Sequence, residues 1–527
     1  MRAWWLVGLL LAWLSGCVSD PAPSIPPQAA ASLSGPAFDT SGLHVQEATP
    51  EAGPRVIHIL HTNDMHGQVK PRKDSGGVYA LGAYVAKVRE EVGADKVILL
   101  DSGDIFTGTP EGSMTKGALM IDLMNALRYD AMALGNHEFD LGMENLLLQS
   151  KKAQFPILSA NIAPKDNPQG KAAEGLATPL TIIERGGFKV GIVGLITTDT
   201  PHITHKDAGE AFHFSDLELP TNKALQTLKG QGVDFSIVLT HVGIEEEKVL
   251  AGKLSSKDVP ILLGGHSHTL VEELWRSPDS GVGYLQTGSR LQGISHAIIQ
   301  LGEDGPSLQR GEVVRLPPSD DAPDPVLAEV VGRYSPEIEK VMGQKLGNCP
   351  VPLDRKAEGM ASSPLGNFVT DVMRARAKAD IAFQNKSGIR SDVPAGEVTM
   401  REMFEVEPFG NTITNVKLTG QQVLEVLEHA SQEGRHNLEV SGATLVFDLK
   451  GAPGKRVAEV KIGGAPLNPK KVYTVATNSF LADGGDEQKF TLGQKQNTGI
   501  LLREALVEQM SKPNGCAVDQ TTRIKTK

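Results

Sequence analysis

Five short apolar runs in this chain of 527 residues each end in side chains of metal-binding type. They close as HTNDMHG (Asp64, His66), DSGD (Asp104), LGNHEFD (Asn136, His137, Asp140), LTHVG (His241) and LGGHSH (His266, His268). Continuous Val/Ile/Leu runs, separated by amphipathic stretches such as Gly77 to Val92 and Gly117 to Leu127, predict buried strands alternating with helices. Open α/β sheets of that kind place their sites just beyond the strand ends. Fold and chemistry are therefore constrained together, because carboxylate, amide and imidazole groups are gathered where a dinuclear centre needs them. Two adjacent divalent ions can supply hydroxide near neutral pH and clamp a phosphoryl group between them.

At this length more than one core is expected. RVIHIL, KVILL, DAMAL, KVGIVGL, DFSIVLT and VPILLGG read as strands, so residues 55–322 are assigned to a first α/β domain. Residues 323–345 read as a charged helical linker, and residues 346–527 as a second, smaller α/β domain. The second domain opens with a helix over Leu365 to Ala379 and continues with the strand-like runs TITNVKL, ATLVFDL, VAEVKI and VYTVAT. Twelve of the 14 histidines precede residue 300, which assigns metal chemistry to the first domain. A formal charge of −11 argues against a protein that coats nucleic acid. The positive charge needed for an anionic substrate must then be concentrated at metals and a few arginines.

Residues 1–16 are read as a lipoprotein signal peptide. Arg2 precedes an apolar stretch, Ala3 to Leu14, too short to span a bilayer. The following Leu14-Ser15-Gly16-Cys17 resembles a bacterial lipoprotein signal, with cleavage before Cys17 and lipidation of its thiol; the alternative is an ordinary secretory signal. Residues 17–54, rich in Pro, Ala and Ser, read as a flexible tether. Val18 after the cysteine leans toward the outer membrane, so the expected location is the cell envelope, lipid-anchored, facing the periplasm or the cell surface. Cys349 and Cys516 either form a disulfide joining the start and end of the second domain or remain two buried thiols.

Asp64-x-His66 and the Asp104 turn are weak signals alone, GNHEFD is more specific and GHSH more so, and together in this order the five resemble the calcineurin-like metallophosphatase superfamily. ILHTNDMHG, GNHEFD and LGGHSH are similar to its bacterial and animal 5'-nucleotidase branch. The resemblance implies a four-layer α/β/β/α metallophosphatase domain followed by a smaller α/β substrate-binding domain. It implies that Asp64, His66 and His268 hold one metal, that Asn136, His241 and His266 hold another, and that Asp104 bridges both. Such ligands suit Zn, Mn, Co or Fe, with no thiolate to force a softer choice. His137 would stabilise phosphoryl charge or assist the leaving oxygen, oriented by Asp140. His58 and His61, on the strand before Asp64, read as packed or supporting histidines.

In the second domain NKSGIR (Asn385, Arg390) resembles the family's substrate-contacting loop. VEPFGN (Phe409) and NSFLADGGDE (Phe480, Asp486) match segments in which two aromatic rings sandwich a base and an aspartate meets ribose hydroxyls. Stacking of that kind is worth roughly 1–3 kcal/mol per base. ASSPLGNFVTD, with Asn367, reads as structural. Two departures bear on substrate preference. Lys386 and Ser387 stand where the family usually has glycines, and Ala361 stands where many relatives carry an arginine, with Arg355 and Lys356 near enough to substitute. The function implied is hydrolysis of extracellular or periplasmic nucleotides to nucleoside and phosphate by water activated at two divalent metals. The partners are then a small nucleotide and a membrane, with no nucleic-acid polymer. A 2',3'-cyclic nucleotide phosphodiesterase with 3'-nucleotidase activity, or a UDP-sugar or dinucleotide hydrolase, would use the same scaffold. Phe409 and Phe480 argue against a thiosulfohydrolase, and the complete ligand set argues against a nucleotide-binding surface protein that has lost catalysis.

Overall fold

A computed structural model describes residues 55–319, 322–432 and 438–527. The signal peptide, Cys17 and the tether lie outside the described residues. The described residues fall in one compact unit.

Strand alternation explains the first half of that unit. In Arg55–Thr62, Ile57 and Ile59 face one side and Leu60 the other; in Val97–Asp101, Ile98 and Leu100 oppose Val97 and Leu99 in the same way. These two strands pair in parallel, with Ala131–Ala133 and Ile157–Leu158 continuing the sheet beyond Val97–Asp101. The antiparallel hairpin Gly293–Gly302 and Gly305–Arg315 completes six strands on the other edge. A second six-stranded sheet has a parallel centre of Phe188–Ile196, Phe235–His241, Ile261–Leu263 and Gly283–Leu285. Ile57, Ile59, Ile98 and Leu100 pack against Val190, Ile192, Ile237 and Leu263 in a buried layer between the sheets. Helices Gly77–Val92 and Ala118–Leu127 cover the outer face of one sheet, and Glu218–Gly230 and Ile244–Lys253 that of the other. The arrangement is the expected four-layer α/β/β/α. Burying an Ile or Leu side chain contributes about 1.5–3 kcal/mol, so the inner layer is a large favourable term that also fixes where the strands end.

No strand before residue 316 pairs with one after residue 344 among the described residues. The second half has its own five-stranded mixed sheet, ordered Leu438–Ser441, Ile381–Asn385, Val472–Asn478, Thr412–Thr419, Gln494–Leu501. Helix Pro364–Ala377 packs on one face and Gly420–Ala430 on the other. Pro364–Ala377 starts on Ser363, whose hydroxyl accepts the Gly366 N–H, and stops at Lys378 in a left-handed conformation, two residues short of the expected end. Cys349 and Cys516 form a disulfide across 167 residues, which settles the alternative left open by the sequence.

The linker is the helix Pro325–Met342, capped by Asp324, and it docks on both halves. Leu327, Val330 and Val331 join the first core, and Tyr334 donates to Asp122 at 2.7 Å. Ile338 and Met342 pack with Phe404 of the second half.

Candidate active site

Five of the candidate metal ligands sit on left-handed backbone: Asp64 (φ 50°), His66 (48°), Asp104 (63°), His266 (73°) and His268 (54°). Such conformations are costly for residues other than glycine and persist where surrounding contacts overdetermine them. Here the contacts are specific. Asp64 N–H donates to Gly103 O and His66 N–H to Asp104 O, each at 2.9 Å, so the first and second ligand turns hold each other. Buried Glu138 accepts the N–H groups of Asp104, Ile105 and Gly135 at 2.7–2.8 Å. Burial, with Asp104 adding to it, pushes the Glu138 carboxyl up to about 7. A second buried acid, Glu247, performs the same service for the later turns, accepting from Thr240 Oγ1, Tyr284 Oη and Gly265 N–H.

The side chains form two sets. Asp64, His66 and His268 offer ligand atoms within 4.8 Å of one another, and so do Asp104, His241 and His266. His66 Nδ1–H donates to Thr107 O at 2.8 Å and His241 Nδ1–H to Ser102 O at 2.7 Å. A carbonyl can only accept, so each imidazole presents an unprotonated Nε2 inward when neutral, as metal-ligating histidines do. The His66 and His268 Nε2 atoms are 3.0 Å apart. His241 Nε2 lies 3.1 Å from Asp104 Oδ2, and His268 Nε2 lies 3.1 Å from Asp64 Oδ1. Buried Asp64 Oδ1, Asn136 Oδ1 and His241 Nε2 nevertheless make no hydrogen bond. Three orphaned donors of a hard/imidazole set in one place are what a pair of divalent cations would satisfy. The groups already interact strongly. Burial would push Asp104 up, but His241 and His137 outweigh it and hold that carboxyl well below the usual range. His266 goes the other way, lowered to about 4 by burial and by His241.

His137 stands beside both sets. Its Nδ1–H donates to Asp140 Oδ2 at 2.6 Å, and Asp140 is held by Thr107 Oγ1 at 2.8 Å and Thr204 Oγ1 at 2.9 Å. Burial alone would lower the His137 pKa; Asp140 and Asp104 outweigh it and raise it above the ordinary imidazole value. His61 is buried, with Nε2 on Ser102 Oγ at 2.8 Å, and His58 pairs with His296, so both are supporting residues.

A cavity of about 620 Å³ joins this centre to the second half. Asp104, Asn136, His137, Asp140, His266 and His268 line it from one side, and Asn385, Arg390, Phe409, Phe480 and Asp486 from the other. Arg390 reaches to 3.3 Å from His66 Nε2, and the Phe409 ring stacks on His137 with centroids 5.7 Å apart. Asn385 Nδ2 donates to Asp486 Oδ2 at 2.9 Å, so two candidate substrate contacts are tied together. The structure thus brings every candidate substrate contact to the candidate metal centre. Asn367 donates to the carbonyls of Asp519 and Thr521, a structural role as expected. The departures find places too. Lys386 Nζ donates to the carbonyls of Met360 and Ala361, and Arg355 Nη1 to Ile389 O, next to Arg390.

Sequence reasoning missed Glu138, Glu247, Thr107 and Thr204. Glu138 lies inside GNHEFD and could have been questioned there; Glu247 is one of three consecutive glutamates, and nothing in the sequence singles it out.

Residues 57–270 match the calcineurin-like phosphoesterase family and residues 343–493 the 5'-nucleotidase C-terminal domain. The human 5'-nucleotidase is 31% identical over 494 residues, covering 83% of this chain and 84% of the relative. The trifunctional nucleotide phosphoesterase protein YfkN of Bacillus subtilis is 30% identical over 88% of this chain, which spans only 34% of that longer protein. A crystal structure of a 5'-nucleotidase precursor from Thermus thermophilus superposes with a TM-score of 0.80 at 30% identity, covering 89% of this chain and 99% of that one.

Proposed function

The chain belongs to the 5'-nucleotidase family of calcineurin-like phosphoesterases, and we propose that it hydrolyses nucleoside 5'-monophosphates to nucleoside and phosphate. The observation that carries this reading is the cavity shared by Asp104, Asn136, His266 and His268 of the ligand sets, the His137–Asp140 pair and the Phe409/Phe480/Asp486 group. We assign Asp64, His66 and His268 to one divalent ion, Asn136, His241 and His266 to the other, and Asp104 to both. Bound there, divalent ions would neutralise phosphoryl charge and make water acidic enough to serve as nucleophile.

The protein's own groups do the rest. Arg390, Asn136 and His137 surround the place where a phosphoryl group would sit and oppose its growing charge. His137 Nε2 faces the cavity while Asp140 holds Nδ1–H, so Nε2 can donate a proton to the departing 5'-oxygen. Phe409 and Phe480 grip a flat base without selecting one, and Asp486 accepts from ribose hydroxyls. We further propose residues 55–322 and 346–527 as the functional domains and Cys17 as a lipid anchor in the cell envelope. Among the described residues no helix is long and apolar enough to cross a membrane.

The test is phosphate release by protein lacking residues before Ser19, with Mn or Zn added, from AMP, 3'-AMP, 2',3'-cyclic AMP, UDP-glucose and an aryl phosphate. Fast release from AMP is expected. Silence on AMP with turnover of a cyclic or sugar-linked nucleotide would move the substrate while keeping the chemistry.

A further inference from the structure

Asp140, the partner of His137 Nδ1–H, is held from two directions. Its Oδ2 accepts from His137 and from Thr107 Oγ1, at 2.6 and 2.8 Å. Thr107 stands with the candidate metal ligands, since its carbonyl also accepts the His66 Nδ1–H at 2.8 Å. The other oxygen, Oδ1, accepts from Thr204 Oγ1 at 2.9 Å. Thr204 is buried and comes from a segment 64 residues further along the chain. The terminal torsion of an aspartate is soft, so a bond on each oxygen is what fixes the plane of this carboxylate.

The segment that carries Thr204 is anchored at both ends. At its start the Thr197 N–H donates to the His241 carbonyl at 2.8 Å, and Thr200 Oγ1 donates to Thr197 O at 2.7 Å. Past its end Asp207 accepts the Met143 N–H at 3.1 Å, at the head of the helix Met143–Ser150 that follows Asp140. Between these anchors, residues from Pro201 to Lys206 line the cavity. The short helix Thr200–Ile203 also abuts the turn Gly485–Glu487 of the second half, which bears Asp486. One strap of the first half thus meets the turn proposed to bind ribose and holds the partner of His137.

We propose that Thr204 is a positioning residue for the hydrolysis: its hydroxyl fixes the Asp140 carboxylate, which fixes the His137 ring with Nε2 toward the departing oxygen. As the P–O5' bond breaks, its electron pair passes to O5', which takes the Nε2 proton. The attacking water leaves hydroxide on phosphorus and a proton that restores the imidazole. Without Thr204 Oγ1 the carboxylate keeps its Oδ2 bonds but can swing about them, and the ring with it. A misplacement of about 1 Å at a reacting group can cost about 10²-fold in rate. Because the strap meets the Asp486 turn, alignment of the acid is also tied to contact between the two halves. This inference rests on the phosphohydrolase reading above, with His137 as its acid.

The experiment compares Mn-loaded wild type, Thr204→Val, Thr204→Ser and His137→Ala on two substrates, with bound metal measured alongside. The alkoxide of AMP needs a proton in order to leave, whereas the aryl oxide of 4-nitrophenyl phosphate does not. Thr204→Val should lower kcat on AMP about 10-fold or more with KM within about twofold of wild type, and should lower kcat on 4-nitrophenyl phosphate several-fold less. Thr204→Ser, which keeps the hydroxyl, should stay close to wild type on both. Equal losses on the two substrates would overturn the proposal, as would a loss confined to KM, a loss in step with bound metal, or unchanged kcat on AMP. If the valine variant does not fold, Thr204→Ala is read on the same substrates by the same criteria. Failure of the underlying reading shows separately, as wild type inert on both substrates or His137→Ala without the bias toward AMP, and either result takes the inference down with it.

Discussion

At the scale of single residues, His137 is the imidazole proposed to hand over a proton. His137→Ala should lower kcat on AMP by about 10²–10⁴-fold while bound metal, measured by elemental analysis, stays at the wild-type level. Loss of metal in step with activity would instead make His137 a ligand. A second residue gives a pH test away from the site. Burial raises Glu439 to about 7, with Lys386 and its bonds from Ser363 pulling the other way. The folded protein therefore binds an extra proton between about pH 4.5 and 7, and stability falls as pH rises through that window. Glu439→Gln should flatten the slope, so its urea midpoint should gain on wild type at pH 8 relative to pH 5. Most ligands were legible because their side-chain types recur at strand ends. Their left-handed backbone was not, since it is imposed by contacts between turns distant in sequence, such as Asp64 N–H to Gly103 O.

At the scale of elements, turns rather than strands carry the chemistry, and their glycines explain the motif spelling. A Cβ on Gly135 would collide with the Asp104 backbone and with Glu138 Oε2. GNHEFD thus begins with glycine so that two ligand turns can touch, a reason invisible without the neighbouring turn. Strands were legible from apolar runs, and helix Gly77–Val92 has the limits its periodicity predicts. The disulfide was not decidable from sequence, because pairing depends on how Cys349 and Cys516 approach, to 5.3 Å between Cα atoms. Replacing both by alanine should cost about 2–5 kcal/mol in chemical denaturation, since the bridge closes a long loop. A change within about 0.5 kcal/mol would show that the bridge adds nothing to stability.

At the scale of the whole molecule, the linker helix and ion pairs on and beside it join the halves. Arg401 pairs with Glu111 at 2.8 and 3.0 Å, and Lys70 pairs with Glu339. Pro336 lies inside the linker helix, where it cannot donate to the Gly332 carbonyl, and it separates Tyr334, tied to the first half, from Ile338, packed with the second. We propose that opening and closing pivot there to admit nucleotide. Cysteines at 111 and 401 joined by a short bis-maleimide should abolish turnover; retained activity in the joined form would reject the pivot. The central claim is that this enclosed centre is a two-metal nucleotide hydrolase. Its most direct test is phosphate release from AMP by chelator-stripped protein titrated with Mn or Zn. We expect no turnover without metal and a rise to a plateau at two equivalents, absent in an Asp104→Ala variant. Full activity in stripped protein, or a plateau at one equivalent, would contradict it.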